Sequence, residues 1–214
     1  AALWGGGSPS SAGSFEYNGA SWTGGGDMTF AGRDFTGGSA GTQTAALQVG
    51  GFISPGNLSA VMQEYNGASW TNIPQTFPTA ADTGSFGTCG TQTAALSSGG
   101  SGSSTANLSW NGASWTSENA LSIGINAQVQ TGTSTLAVCM SGHPANPGSY
   151  SDEIQTWDGT TWTTSPATLA TGRAQAAGGG TTTSAWVAAG APGPLTSTEI
   201  YSGPALATRT LTTS

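Results

Sequence analysis

Basic charge is what this chain lacks most. It contains no lysine; its cations are Arg33, Arg173 and Arg209, against ten acids, for a net charge of −7. Nucleic-acid binding requires clustered Lys and Arg that displace counterions from phosphates. A nucleic acid is therefore excluded as a partner, and an anionic membrane surface is disfavoured for the same reason. No run approaches the roughly 18 apolar residues of a membrane span, and no basic-then-apolar signal segment is visible, so no membrane insertion is expected. Histidine occurs once, at His143, and cysteine twice, at Cys89 and Cys139. Zinc sites use three or four His, Cys or carboxylate ligands, so these three residues are poor material for one. No metal and no other cofactor is expected. The chain starts at Ala1 rather than Met, which reads as a processed product or a piece of a longer protein.

What is present is a repeat. EYNGASWT occurs word for word at Glu16–Thr23 and Glu64–Thr71. Variants follow at Ser109–Thr116 (SWNGASWT) and Thr156–Thr163 (TWDGTTWT), with a degenerate copy at Ile200–Ala207. The aromatic before the turn is Tyr17, Tyr65, Trp110, Trp157 and Tyr201, each roughly 44–48 residues after the last. Such a period belongs to repeat arrays and propellers. A second motif runs in phase: GTQTAAL at Gly41–Leu47 and Gly90–Leu96, with looser forms at Gly132–Val138 and Thr181–Val187.

Each repeat reads as four strands. A strand of small residues leads into the TAAL strand, which ends at Gly. A variable loop follows, then the strand with the first aromatic, an Asn-Gly or Asp-Gly turn, and a short strand carrying Trp. Asn-Gly pairs are the strongest signal for a two-residue type I′ hairpin. Four strands in about 46 residues describe a propeller blade. The expected fold is all-β: a five-bladed β-propeller, one domain over residues 1–214, with small residues where inner strands crowd the central channel. Trp22, Trp70, Trp115 and Trp162 are expected to fill the space between successive blades, each burying on the order of 200 Å². The ends are out of phase with the repeat. AALWGGG at the start matches a second strand, and ALATRTLTTS at the end resembles a first strand. The expectation is that the C-terminal strand pairs with the N-terminal one, closing the ring and removing an edge. Leu206 stands where the last Trp would be. Cys89 and Cys139 fit two readings, as buried small apolar residues or as a disulfide pinning adjacent blades.

The Gly-Gly strand ends, the aromatic–turn–Trp hairpins and an Arg eleven residues after Trp (Trp22 to Arg33, Trp162 to Arg173) resemble the Kelch repeat. Arg173–Gly203 is the best match, and the resemblance covers essentially the whole chain. It implies four-stranded Kelch-like blades and says nothing of activity. Near-identical copies of GTQTAAL and EYNGASWT also look like Kelch-type repeats of marine bacteriophage and environmental viral proteins, which implies a virion or appendage protein. Asp82 and Gly124 stand near the Arg position in two blades, and five is a departure in blade count. Both depart from the intracellular adaptor pattern.

Catalytic constellations do not assemble from the sequence. His143 lies in a turn-rich stretch, SGHPANPG, and reads as an exposed loop residue. Copper oxidases with Kelch-like propellers need several His, which this chain lacks. The hairpins are similar to the Asp-box of sialidase propellers, but here Asn or Asp touches Gly directly, and a sialidase needs clustered Arg. Arg33 and Arg173 occupy equivalent repeat positions and read as structural. Asp152 and Glu153 are strand neighbours pointing to opposite faces, unlike the facing carboxylates of glycosidases. Glu16 and Glu64 recur at the hairpin edge. The Gly runs lack the following Lys and helix of a phosphate loop.

The expectation is therefore a non-enzymatic surface-binding propeller. With only 6% charged residues its surface is built of hydroxyls and amides, which suits a virion surface or an extracellular setting. Five loops differ in every repeat: Ser8–Gly13, Gly51–Leu58, Gly99–Asn107, Gly142–Ser151 and Ala191–Ser197. Variable loops on a rigid scaffold are where binding resides. The candidate binding residues are His143, Asn146, Tyr150, Asn57 and Asn107; Asn57 and Asn107 also head glycosylation sequons. Expected partners are other virion or appendage proteins or host surface glycans. The alternative is a secreted multivalent lectin with one sugar site per blade, which would repeat its binding loops.

Overall fold

The computed structural model describes residues 2–6, 11–29, 32–33, 39–53, 57–78, 85–144, 148–203 and 209–211, with the backbone alone at 32–33, 52–53, 57–58 and 209–211. Every regular element among them is a strand. The first sheet is β1 (Ala2–Gly5), β2 (Ser14–Tyr17) and β3 (Trp22–Gly24). The second is β4 (Gly32–Arg33) and β5 (Ser39–Thr42), which both pair with β6 (Ala45–Ile53), followed by β7 (Asn57–Tyr65) and β8 (Trp70–Thr76). The third runs β9 (Phe86–Thr91), β10 (Ala94–Gly99), β11 (Asn107–Trp110), β12 (Trp115–Ser117). After a short β13 (Ile125–Asn126), the fourth contains β14 (Val129–Gly132), β15 (Ala137–Met140), β17 (Glu153–Trp157) and β18 (Trp162–Thr168). It is interrupted by β16 (His143–Pro144), which pairs with β13. The fifth is β19 (Ala177–Thr181), β20 (Ser184–Ala188), β21 (Thr198–Tyr201) and β22 (Arg209–Leu211). All pairings are antiparallel, and β5, β9, β14 and β19 meet successively around a central channel. Five small antiparallel sheets in a ring are a five-bladed β-propeller.

The repeated words have local causes. In GTQT the Gly ends the inner strand in a left-handed conformation: φ is +117° at Gly41, +110° at Gly90, +121° at Gly132 and +116° at Gly180. A Cβ there would sit 2.2–2.3 Å from the carbonyl oxygen of Ala45, Ala94, Leu136 or Ser184, so only Gly fits. The Gln of the motif reaches into the preceding blade. Gln92 Nε2 donates to Ala46 O and Tyr65 O at 3.2 and 3.0 Å, and Gln43 Nε2 to Glu16 at 3.1 Å.

The hairpins differ from the two-residue turn expected. Positive φ falls on Gly19, Gly67, Gly112 and Gly159 alone and not on the preceding Asn or Asp. Each turn is a four-residue loop whose first side chain accepts two backbone N–H groups. Asn66 Oδ1, for example, takes Ala68 N at 3.0 Å and Ser69 N at 2.9 Å. Asn18, Asn111 and Asp158 repeat the arrangement. The side chain supplies the backbone's partner, so the Asn itself has no need of positive φ.

Packing between blades follows the pleat. In the second sheet Leu47 and Val49 point to the third sheet, while Ala46 on the alternate face joins Tyr65, Trp70 and Met28 against the first. The third and fourth sheets enclose Cys89, Leu96, Cys139, Trp157 and Trp162. The fourth and fifth enclose Val138, Met140, Ile154, Val187 and Tyr201. Each large side chain buried this way contributes about 1.5–3 kcal/mol. The aromatic pairs recur at centroid separations of 5.0–5.6 Å, tilted by 35–41°: Tyr17–Trp22, Tyr65–Trp70, Trp110–Trp115, Trp157–Trp162.

Three expectations need correction. Trp22 does not fill a gap between blades and is 54% exposed, whereas Trp70 and Trp162 are buried. The deepest aromatics are the first of each pair, Tyr65, Trp110 and Trp157, because their strand lies further inside the sheet. Among the described residues the C-terminal strand does not pair with the N-terminal one: β22 pairs with β21, Thr198 opposite Leu211. A hairpin onto its own sheet closes a shorter loop than a reach across the ring, at lower entropic cost. The first sheet accordingly has three strands among the described residues and not four. Leu206 and Asp82 lie outside the described residues.

Candidate functional site

Strand alternation sorts the connections onto two rims. The turn from first to second strand and the aromatic hairpin leave on one rim, where Gly67 lies against Thr44, Gly112 against Thr93, Gly159 against Thr135 and Gly203 against Thr183. These are the repeated words. The loops between second and third strands, which differ in every blade, leave on the other rim with the connections between blades.

On that second rim the third and fourth blades interlock. Ile125 and Asn126 pair with Pro144 and His143. Ser103 Oγ donates to His143 O at 3.0 Å, and Asn126 Nδ2 to Ser103 Oγ at 3.1 Å. The His143 ring lies 5.0 Å from the Tyr150 ring, tilted 47°, and its Nδ1 is 3.0 Å from Ser149 O. Both rings are half-buried. The structure thus brings His143 and Tyr150 together as a small aromatic platform flanked by hydroxyl and amide groups. Asn146 and the Asn57 side chain lie outside the described residues. Asn107 is elsewhere: it is buried, its Nδ2 bonded to Asn119 O at 3.1 Å, so its amide faces the protein and not solvent.

The channel mouth opens on the same rim. Ser85, Ala127 and Gln175, each just before an inner strand, have positive φ of 67°, 54° and 54°. A backbone chain links them: Gln175 N donates to Ala127 O at 3.0 Å and Ala127 N to Ser85 O at 2.6 Å. Left-handed non-glycine residues cost about 1–3 kcal/mol each, held here by that chain of bonds. A cavity of 540 Å³ lies within, lined by Ser85, Thr88, Gln128, Gln130 and Gln175 among others. Gln130 is bonded to Ser98 Oγ and Leu96 O. Gln128 Nε2 donates to Ser98 O at 2.6 Å, while its buried Oε1 has no partner among the described residues. These glutamines were missed in the sequence, because nothing in the repeat pattern marks a residue as facing the channel. A second cleft, 420 Å³, separates β1 from β5 and is lined by Leu3, Trp4, Met28, Gln43, Gln48 and Trp70 among others.

Several charged groups among the described residues are engaged in structural bonds. Arg173 is fully buried, forms an ion pair with Glu199, and donates to Ser197 O at 3.1 Å and Ser197 Oγ at 3.0 Å. Glu199 also accepts Ala170 N at 2.6 Å. Glu16 accepts the Tyr65 hydroxyl, whose pKa burial and then that bond push up. Glu118 accepts Ser109 Oγ at 2.5 Å. Cys89 and Cys139 are free and buried between the third and fourth blades. Burial pushes the Cys89 thiol up to about 12 and raises Cys139 as well. Among the described residues no three His, Cys, Asp or Glu side chains gather at one point. The variable rim instead offers neutral donors, neutral acceptors and an aromatic ring, the groups that recognise hydroxyl-rich ligands. No family model matches the chain, and no curated protein matches it.

Proposed function

We propose that the chain is a non-enzymatic surface-binding propeller of Kelch type, a virion appendage or decoration module acting in attachment, at a virion surface or outside the cell. The observation that supports this most is the segregation of the rims. The turns that must fold are near-identical and share one rim; the loops free to differ share the other. A rigid scaffold with a variable loop face is the arrangement of a recognition module. The Kelch-like words and their likeness to viral repeats supply the virion setting. Its partners are host surface glycans or other appendage proteins, and the His143–Tyr150 platform is the first contact proposed. A lectin with one identical site per blade fits less well, because its binding loops would recur and these do not.

The test is a glycan-array screen of the labelled chain that includes bacterial surface polysaccharides, repeated with His143→Ala and Tyr150→Ala. Saturable binding lost in both variants, and kept when the opposite rim is altered by Asn66→Ala, is the expected result. Binding that follows Asn66 and ignores Tyr150 would overturn the assignment of the rim. Absence of glycan binding together with absence of capture of any appendage protein would overturn attachment itself.

A further inference from the structure

The first sheet leaves one strand edge open. In an antiparallel pair the backbone groups of successive residues turn to opposite edges. Gly6 N donates to Gly13 O at 3.0 Å, while Ser14 O, opposite Gly5, accepts Gly25 N at 2.8 Å. Ala2, Trp4 and Gly6 therefore bond towards β2, and the N–H and C=O of Leu3 and Gly5 turn to the other edge. In the other four sheets that edge carries an inner strand. Ala2 stands opposite Tyr17 as Ala46, Ala95, Ala137 and Ala185 stand opposite the first aromatic of their own sheets. The residues that match Leu3 are thus Leu47, Leu96, Val138 and Trp186, paired with Ala40, Cys89, Thr131 and Gly179. Those that match Gly5 include Ser98, Met140 and Ala188, paired with Gly87, Val129 and Ala177. Among the described residues nothing pairs with this edge of β1. It faces the 420 Å³ cleft instead, whose far wall is Ser39–Gln43 on β5. Leu3 is only half-buried there, although Leu47, Leu96 and Val138 are completely buried.

We propose that this edge is a strand-binding site: an extended, uncharged segment of another polypeptide enters the cleft and adds to β1 as the innermost strand of the first sheet. The occupant's chemistry follows from the cleft and from the strands that fill the same place elsewhere. No charged residue lines the cleft, and its volume lies within the roughly 300–1,000 Å³ of ordinary ligand sites. The inner strands of the other sheets read SAGT, FGTCGT, VQTG and AGGGT, mostly small residues and none charged. Main-chain bonds to Leu3 and Gly5 supply the affinity of such an added strand. Small side chains let it lie among strands that converge on the channel. The segment comes from another polypeptide because this chain's own terminal strand, β22, lies on β21. The site does not rest on the loops of the variable rim, since it is built from β1 and β5.

The probe that tests this is a fluorescent peptide copying Asn126–Thr133 (NAQVQTGT), which contains β14. Laid antiparallel to β1 in the register of the fourth sheet, it sets Thr131 opposite Leu3 and Val129 opposite Gly5. Its anisotropy should rise saturably as the wild-type chain is added. N-methylation at Thr131 removes an N–H that bonds to β1. It should weaken binding by more than about tenfold, the cost of leaving a buried carbonyl unpaired. N-methylation at Gln130, whose N–H turns away from β1, should leave binding largely unchanged. Hydrogen exchange gives a second readout on the unaltered protein. The Leu3 and Gly5 amides should exchange freely in the chain alone and become protected with peptide, while Gly6, bonded to Gly13 O, changes little. No binding up to millimolar peptide overturns the proposal. So does protection of Leu3 and Gly5 without peptide, which would mean that the chain fills this edge itself. Equal effects of the two methyl groups also overturn it, because binding would then be made without strand pairing.

Discussion

Tyr65–Trp70 and Tyr17–Trp22 come from identical octapeptides, with the same Asx-closed loop and nearly the same ring geometry, 5.0 and 5.2 Å between centroids. Yet Trp70 is buried under Met28 and Ala46, while Trp22 faces solvent. The hairpin is a local object fixed by eight residues. Burial is a property of the neighbour, and the neighbour is what differs. In a repeat protein each unit contributes its own stability and an interface term with the unit beside it; here four buried clusters mark that second term, and among the described residues none spans the first and fifth sheets.

The largest effect expected is chemical and concerns a closed seam. With burial holding both thiols protonated, and thiolate the reactive form, Cys89 and Cys139 should alkylate more than about a hundredfold slower in the native protein than in urea. Rapid native labelling of either would mean that the seam between the third and fourth blades opens as readily as the free flanks.

Next comes the direct comparison of rings. Trp110→Ala removes a buried ring packed against Leu47 and Met62 and its bond to Gln92 O at 3.1 Å. It should cost about 3–5 kcal/mol in urea unfolding. Trp22→Ala, measured in dilute solution, should shift stability by less than about 0.5 kcal/mol. Equal losses would erase the distinction between closed and open flanks.

A smaller effect separates the turns. Gly90→Ala places a Cβ 2.3 Å from Ala94 O at a φ of +110°, a strain of about 1–3 kcal/mol. Gly19→Ala meets nothing within 4 Å and should pay only for its positive φ, about 1 kcal/mol. Calorimetric midpoints for the two variants check the ranking.

This contrast also marks what could be read in advance. Strand order within a blade, the blade count and the hairpin positions follow from local words, because a Gly that only Gly can fill and an Asn that closes a loop are legible residue by residue. The partner of β22 was not legible. Arg209–Leu211 suits either β1 or β21, and the choice depends on loop closure and not on composition. Trp22 was misplaced for a related reason: its sequence is that of Trp70, and sequence does not report whether a neighbouring blade has arrived. At the candidate site, His143 and Tyr150 were found as residues of a variable loop. Their contact with Ser103 and Asn126 of the neighbouring blade was not visible, since it is made between segments that share no motif.

The smallest effect concerns the hairpin whose loop is closed by a carboxylate. Asp158 accepts Thr161 N at 2.7 Å and Thr160 N at 2.8 Å, as Asn does in the other three. The Thr161 backbone N–H first, and then that of Thr160, hold its pKa below the usual carboxylate value. A carboxyl depressed in the folded state stabilises fully above its unfolded pKa, near 3.9 for an ordinary Asp, and loses that contribution as pH falls through the folded value. Asp158→Asn keeps an acceptor for the same two N–H groups and removes the titration. The stability difference between wild type and variant should therefore be constant from neutral pH down to about pH 5 and then move in the variant's favour below about pH 4. Asp158 is fully exposed, so the change should be modest. Urea midpoints for both proteins at neutral pH and in mild acid measure it, and a difference that does not move with pH would show that the fourth hairpin is closed without its carboxylate.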